Sequence, residues 1–116
     1  MLTLQQPSQQ RDVADEAIHY MRENVRKKLT LKEISEYVGF SASHFSGLFQ
    51  RKTGHSPLNY LIHLKIQEAC HYLDFSDMKI NQICMLVGFE DPFYFSRIFT
   101  KTMGSSPSEY RKKKKG

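Results

Sequence analysis

An all-α fold of about seven helices is what this sequence predicts, and three observations carry the expectation. Apolar residues recur at three- and four-residue intervals, and nothing in the chain reads as a strand. Capping residues open the periodic segments and glycines close them. Residues 31–60 also return as residues 80–110, with one extra residue in the second copy. Identities fall at Ile34/Ile83, Val38/Val87, Gly39/Gly88, Phe40/Phe89, Phe45/Phe95, Ser46/Ser96, Phe49/Phe99, Gly54/Gly104, Ser56/Ser106, Pro57/Pro107 and Tyr60/Tyr110. These are punctuating and apolar positions, so the repeat is a duplicated supersecondary unit.

Residues 1–10 are Gln-rich and polar, and read as a flexible lead-in or linker remnant. The spacing of Ala14, Ala17, Ile18, Met21 and Val25 predicts a helix over roughly residues 11–28. Its acids Asp12, Asp15 and Glu16 come early and its bases Arg26, Lys27 and Lys28 late, which complements the helix dipole. Thr30-Leu31-Lys32-Glu33 is a capping box that starts a short helix, stopped at Gly39. A second short helix follows from about Ala42 to Lys52 with Phe45, Leu48 and Phe49 inward, ended by Gly54. Ser56-Pro57 then supplies an N-cap and a first-turn proline for a helix to about Leu73. This helix carries Leu58, Leu61, Ile62, Ile66, Ala69, Cys70 and Leu73, and 17 residues make it roughly 25 Å long. In the second copy Lys79 replaces the capping Thr30 and Gln82 keeps the partner position. Glu90-Asp91-Pro92 caps the next helix, and Ser106-Pro107-Ser108-Glu109 forms a new box. The expected division is therefore 11–56, a linker helix 57–73, a second unit 74–113 and a basic tail 114–116.

Composition narrows the partners. The formal charge is +5, from 17 Lys and Arg against 12 Asp and Glu. All five excess charges sit in Arg-Lys-Lys-Lys-Lys at 111–115, so the remainder is balanced. Local distribution says more than the total. From Tyr37 to Gln67 there is no acid, while Arg51, Lys52 and Lys65 are present. From Pro92 to Ser108 there is again none, while Arg97 and Lys101 are present. Two separated acid-free windows suit two phosphate-facing surfaces. The longest apolar stretch, Cys84 to Phe89, falls far below the ~20 residues of a membrane span, so no membrane partner is expected. Cys70 and Cys84 make no disulfide framework, which points to a reducing, cytoplasmic compartment. The five histidines are scattered, and no Cys-x-x-Cys, His-Glu-x-x-His or Gly-rich phosphate loop occurs. Neither an enzyme nor a metal or other cofactor is expected. A helical bundle that binds only protein would explain the repeat but not the acid-free windows.

A short helix, a Gly-containing turn and a second amphipathic helix form a helix-turn-helix: the first helix braces the second, which offers its polar face to a major groove. Each copy ends in Gly-x-Ser-Pro. On these residues the sequence resembles the DNA-binding domain of the AraC/XylS family of bacterial transcription regulators. Ile34, Val38-Gly39-Phe40, Phe45-Ser46, Phe49 and Gly54-His55-Ser56-Pro57 carry the likeness in the first copy. In the second they are Ile83, Val87 through Pro92, Tyr94-Phe95-Ser96-Arg97, Phe99 and Gly104 through Arg111. The resemblance spans about residues 11–113. It implies two homeodomain-like helix-turn-helix units joined by a linker helix, with both recognition helices facing successive major grooves of an asymmetric site. It also implies a nucleoid-associated activator, with RNA polymerase a candidate partner and an effector ligand only if a separate sensor domain exists. Lys65, where the family commonly has Arg, Cys84, where Ala is usual, and Gly47, where a basic residue is frequent, depart from the pattern.

With Phe45, Leu48 and Phe49 inward, the opposite face is Ser43, Ser46, Gly47 and Gln50; the matching face fifty residues on is Phe93, Ser96, Arg97 and Thr100. These are the base-contact candidates. Only Gln50 and Arg97 can make bidentate contacts, Gln with adenine and Arg with guanine, although Arg97 as a phosphate clamp is the competing reading. Phe93 is either a thymine-methyl contact or a partly buried aromatic over the helix start. Gly47 either permits close backbone approach or marks a unit with few base contacts. His44, Arg51, Lys52, Tyr94, Lys101 and Arg111 are the phosphate-contact candidates.

Overall fold

A computed structural model describes residues 11–115; residues 1–10 and 116 lie outside it, and with them the expected lead-in and the end of the basic tail. The described residues form seven helices and no strand: α1 (Val13–Glu23), α2 (Leu31–Val38), α3 (Ala42–Thr53), α4 (Pro57–Phe75), α5 (Ile80–Leu86), α6 (Pro92–Met103) and α7 (Pro107–Lys115). The all-α expectation holds. Most boundaries follow from local chemistry. Thr30 Oγ1 accepts from Glu33 N at 3.1 Å, and the Glu33 carboxylate accepts from Thr30 N at 2.9 Å, the reciprocal cap expected for α2. Ser106 and Glu109 make the same pair of bonds at the start of α7. Before α5 only half of the box survives, with Gln82 Oε1 accepting from Lys79 N at 3.1 Å.

The first helix is shorter than its periodicity predicts. It stops at Glu23, where Asn24 turns its side-chain amide back onto the Tyr20 carbonyl at 2.8 Å. Arg26, Lys27 and Lys28 therefore lie in the following segment rather than in a last helical turn. The basic run corrects in the other direction: α7 continues through it to Lys115.

Each repeat builds its own core. Ala17, Met21, Ile34, Val38, Phe45 and Phe49 are fully buried in the first, with Leu61 and Leu64 joining them. Ile83, Cys84, Val87, Phe95 and Phe99 form the second, with Ile66, Ala69 and Leu73. Helix α4 thus serves both: its N-terminal half packs on one core and its C-terminal half on the other. It runs to Phe75, two residues past the expected end, and its 19 residues span roughly 28 Å. Leu58, one of the apolar residues carried by this helix, is exposed, while its neighbour Pro57 is buried. Aromatic geometry repeats closely. Phe49 meets Tyr60 edge-on at 5.5 Å between centroids, and Phe99 meets Tyr110 edge-on at 5.6 Å.

Candidate nucleic-acid interface

Helices α3 and α6 are the second helices of the two units, and their burial fixes which face looks outward. Phe45 and Phe49 anchor α3 inward, and Phe95 and Phe99 anchor α6, all four at zero exposure. Opposite them on α3, Ser43 and Gln50 are exposed and Ser46 and Gly47 half-buried. On α6, Phe93, Arg97 and Thr100 are exposed and Ser96 half-buried. No acidic residue stands in the first turn of either helix.

The individual side chains differ in how free they are. Phe93 is 79% exposed, so it does not cover the helix start as a partly buried aromatic would. Its backbone N–H is held by the capping carboxylate of Asp91 at 2.9 Å, which leaves the ring projecting from a fixed first turn. The Arg97 guanidinium lies 5.7 Å from the centroid of the Tyr94 ring, a cation–π contact that steadies it one turn along. Thr100 Oγ1 donates to the Ser96 carbonyl at 2.7 Å and is partly spent within its own helix. At Gly47 a Cβ would sit 3.4 Å from Arg51 Nη1, because that side chain folds back along the helix.

Among the phosphate candidates, His44, Arg51, Lys52, Tyr94 and Lys101 are exposed. His44 rests beside the Phe40 ring at 4.9 Å, as Tyr94 rests beside Phe89 at 6.0 Å, so the two residues are structural equivalents. Lys52 pairs with Asp12 at 3.2 Å, an exposed contact that water and salt weaken. The Asp15 backbone N–H, and behind it Lys52, holds the Asp12 carboxyl below its ordinary range.

Two basic residues turn inward, against expectation. Arg111 does not reach outward as a phosphate ligand would: its guanidinium donates to the carbonyls of Met78 at 2.7 Å, Ser76 at 3.0 Å, and Leu73 and Tyr72 at 3.4 Å. It gathers carbonyls at and just past the C-terminal end of α4 and suits the negative end of that dipole. Beside it the Tyr110 hydroxyl donates to Asp74 Oδ2 at 3.4 Å, and burial first, then Cys70 and Asp74, pushes that phenol up to about 12. Lys65, counted among the bases of the first acid-free window, is only 5% exposed. The basic side chains left outward in that window are Arg51 and Lys52; the second keeps Arg97 and Lys101. Lys65 could have been suspected from its neighbours, since it stands between the apolar Leu64 and Ile66 on a helix buried from both sides.

Residues 34–113 match the family described as a helix-turn-helix domain. The chain is 37% identical over 113 residues to the MmsAB operon regulatory protein of Pseudomonas aeruginosa, covering 97% of this chain and 37% of that one. It thus spans little more than a third of that relative's length. Among solved structures, the C-terminal domain of AraT, a response regulator from Geobacillus stearothermophilus, superposes with a TM-score of 0.84 at 27% identity, covering 89% of this chain and 86% of that one. The DNA-binding domain of AdpA, solved in complex with a target DNA, gives 0.83 at 25% identity, covering 89% and 93%. The tandem units, their outward-facing second helices and these likenesses agree: the chain belongs to the AraC-type helix-turn-helix family of DNA-binding transcription regulators.

Proposed function

We propose that this chain reads an asymmetric, bipartite site on double-stranded DNA, with α3 and α6 entering successive major grooves, as the DNA-binding part of a longer bacterial transcription activator. The observation that carries the reading is the pair of acid-free outward faces, each backed by two buried phenylalanines on the second helix of its unit. Because α3 offers Gln50 where α6 offers Thr100, and Gly47 where α6 offers Arg97, the two half-sites differ and the site is not a palindrome. Arg97, Gln50, Phe93, Ser43, Ser46, Gly47, Ser96 and Thr100 are the base-facing set. His44, Arg51, Lys52, Tyr94 and Lys101 are the backbone-facing set, and Arg111 leaves it. The AdpA domain is held on its own target DNA in a fold that this chain shares, which supports the assignment. Activation would bring RNA polymerase as a partner, and an effector would act through a separate sensor domain. The bacterial cytoplasm, at the nucleoid, is the compartment the reading implies.

Selection of bound sequences from a random duplex pool, followed by gel shifts on the winning site, tests this. The selected site should contain two unlike half-sites about one helical turn, ~34 Å, apart. Binding should weaken linearly in log salt, with a slope of ~0.9 per phosphate contacted. A palindrome, or binding that ignores salt at low ionic strength, would overturn the proposal.

A further inference from the structure

Between the two cores one charge is buried. Lys65, on the shared helix α4, extends its ammonium into the seam, where it donates to three backbone carbonyls: Val25 at 2.5 Å, Lys27 at 2.8 Å and Val87 at 3.2 Å. An ammonium has three N–H donors, so all are used. The partners come from both sides. Val25 and Lys27 belong to the segment that follows α1 in the first unit, and Val87 is the residue that caps the C-terminal end of α5 in the second. Three further contacts hold the same segment, one to the second unit and two to α4. Lys28 pairs with Glu90 at 2.9 Å, and Arg26 reaches Glu68 at 3.5 Å and the Tyr72 hydroxyl. The backbone at Gly88 approaches so closely that a Cβ there would lie 2.6 Å from Lys65 Nζ and 2.9 Å from the Arg26 carbonyl oxygen.

Burying an ammonium is costly, and a single apolar core would be better served by leucine at this point. What the lysine supplies is direction. Three bonds to three fixed carbonyls define where the turn of the second unit sits relative to the α1–α2 connection of the first. The turn at Gly88 leads directly into α6, whereas the segment 25–28 leads into α2 and so braces α3.

We propose that Lys65 is a positioning residue that sets the separation and angle of the two recognition helices, and hence the spacing between half-sites that the chain accepts. This rests on the bipartite DNA reading. Two linked modules gain from one another only when their linkage holds both in register with the site, so a loosened seam lowers affinity on the correctly spaced site and relaxes the penalty on others.

The experiment measures affinity of the full chain, wild type and Lys65 variants, for the selected duplex and for duplexes with one or two base pairs inserted between its half-sites. The wild type is expected to favour the native spacing. Lys65→Met should lose about tenfold on that spacing and less than about twofold on the others, flattening the preference, and Lys65→Arg should restore it. An equal loss at every spacing, or an unchanged preference, would overturn the role of Lys65 while leaving the DNA reading intact. Wild-type protein that selects no bipartite site would instead overturn the reading beneath it. Should Lys65→Met fail to fold, Gly88→Ala and Gly39→Ala give the same answer. Both glycines have positive φ, 90° and 82°, but a Cβ at Gly39 meets nothing within 4 Å. Both variants carry the strain of a left-handed backbone, and only Gly88→Ala presses on the seam. Flattened spacing preference in Gly88→Ala alone supports the proposal; the same behaviour in both variants, or in neither, rejects it.

Discussion

At equivalent positions, the outward face of α3 carries Ser43, Ser46, Gly47 and Gln50, and that of α6 carries Phe93, Ser96, Arg97 and Thr100. The inward faces are nearly interchangeable: the Phe45 and Phe49 rings meet tilted at 5.6 Å between centroids, and Phe95 and Phe99 tilted at 5.9 Å. Packing tolerates little change at a buried phenylalanine, because a cavity or a clash costs several kcal/mol. A solvent-facing position carries almost no such constraint. Duplication has therefore kept the scaffold and let the outward faces diverge, and only the serine at 46 and 96 is shared between them. The units differ at their edges as well. The first is completed by α1, packed through Ala17 and Met21, and the second by α7, packed through Tyr110.

The sharpest way to break this comparison is to empty one core and watch the other. Phe99→Ala should cost about 3–5 kcal/mol and Phe49→Ala a similar amount. Hydrogen exchange should show lost protection mainly in the unit that was cut. Equal loss in both units would mean that α4 couples them into one cooperative block. The seam comes next. Burial lowers the Lys65 pKa from 10.5 to about 8. Between those values the unfolded chain binds more protons than the folded one, so stability rises with pH, by about 2 kcal/mol from pH 8 to 10. Tyr110, pushed up to about 12, acts in the opposite sense above pH 10, which bounds the useful window. Denaturant midpoints across that range should climb for wild type relative to Lys65→Met, in which the Cys84 thiol, pushed up by burial, makes stability fall as pH rises.

Arg97 and Gln50 sharpen the comparison of the reading faces. Arg97→Ala should cost roughly 1–3 kcal/mol on the selected site and relax preference at one base pair of the second half-site. Gln50→Ala should do the same, more weakly, in the first. A loss shared equally by all sequences would make Arg97 a phosphate clamp. The smallest effect lies in the caps. Thr30→Ala should lower stability by about 1 kcal/mol, whereas Lys79→Ala should change it little, since Lys79 offers no side-chain cap. Thermal unfolding of the two variants separates these outcomes.

What was legible in the sequence is what short-range chemistry decides. Thr30 with Glu33, Ser56 with Pro57, and the glycines after each helix act within a turn of themselves, so their spacing suffices. The outward faces of α3 and α6 follow from the phenylalanine positions and helical periodicity alone. Lys65 and Arg111 were not legible in this way. Each is polar, and whether it faces water or a row of carbonyls depends on elements up to 40 residues away, as in the bond from Lys65 to Val25. The helix dipole argument placed Arg26, Lys27 and Lys28 in a last turn, but tertiary bonds from Lys65 and the Asn24 cap outweighed it. Local charge counts overstated the first basic face for the same reason.

The buried residues of helix α4 pass from one core to the other between Leu64 and Ile66, with the half-buried Ile62 already against the second. Each residue of an α-helix advances 1.5 Å and rotates about 100°. The spacer between the two reading heads is therefore graded in turns rather than in residues. A change in its length by one residue would swing one unit through more than a quarter circle around the other, while a change by a whole turn would mostly translate it. On the proposed reading, the geometry of the DNA site would be written in the phase of a single helix, and substitutions on either outward face would leave that phase untouched.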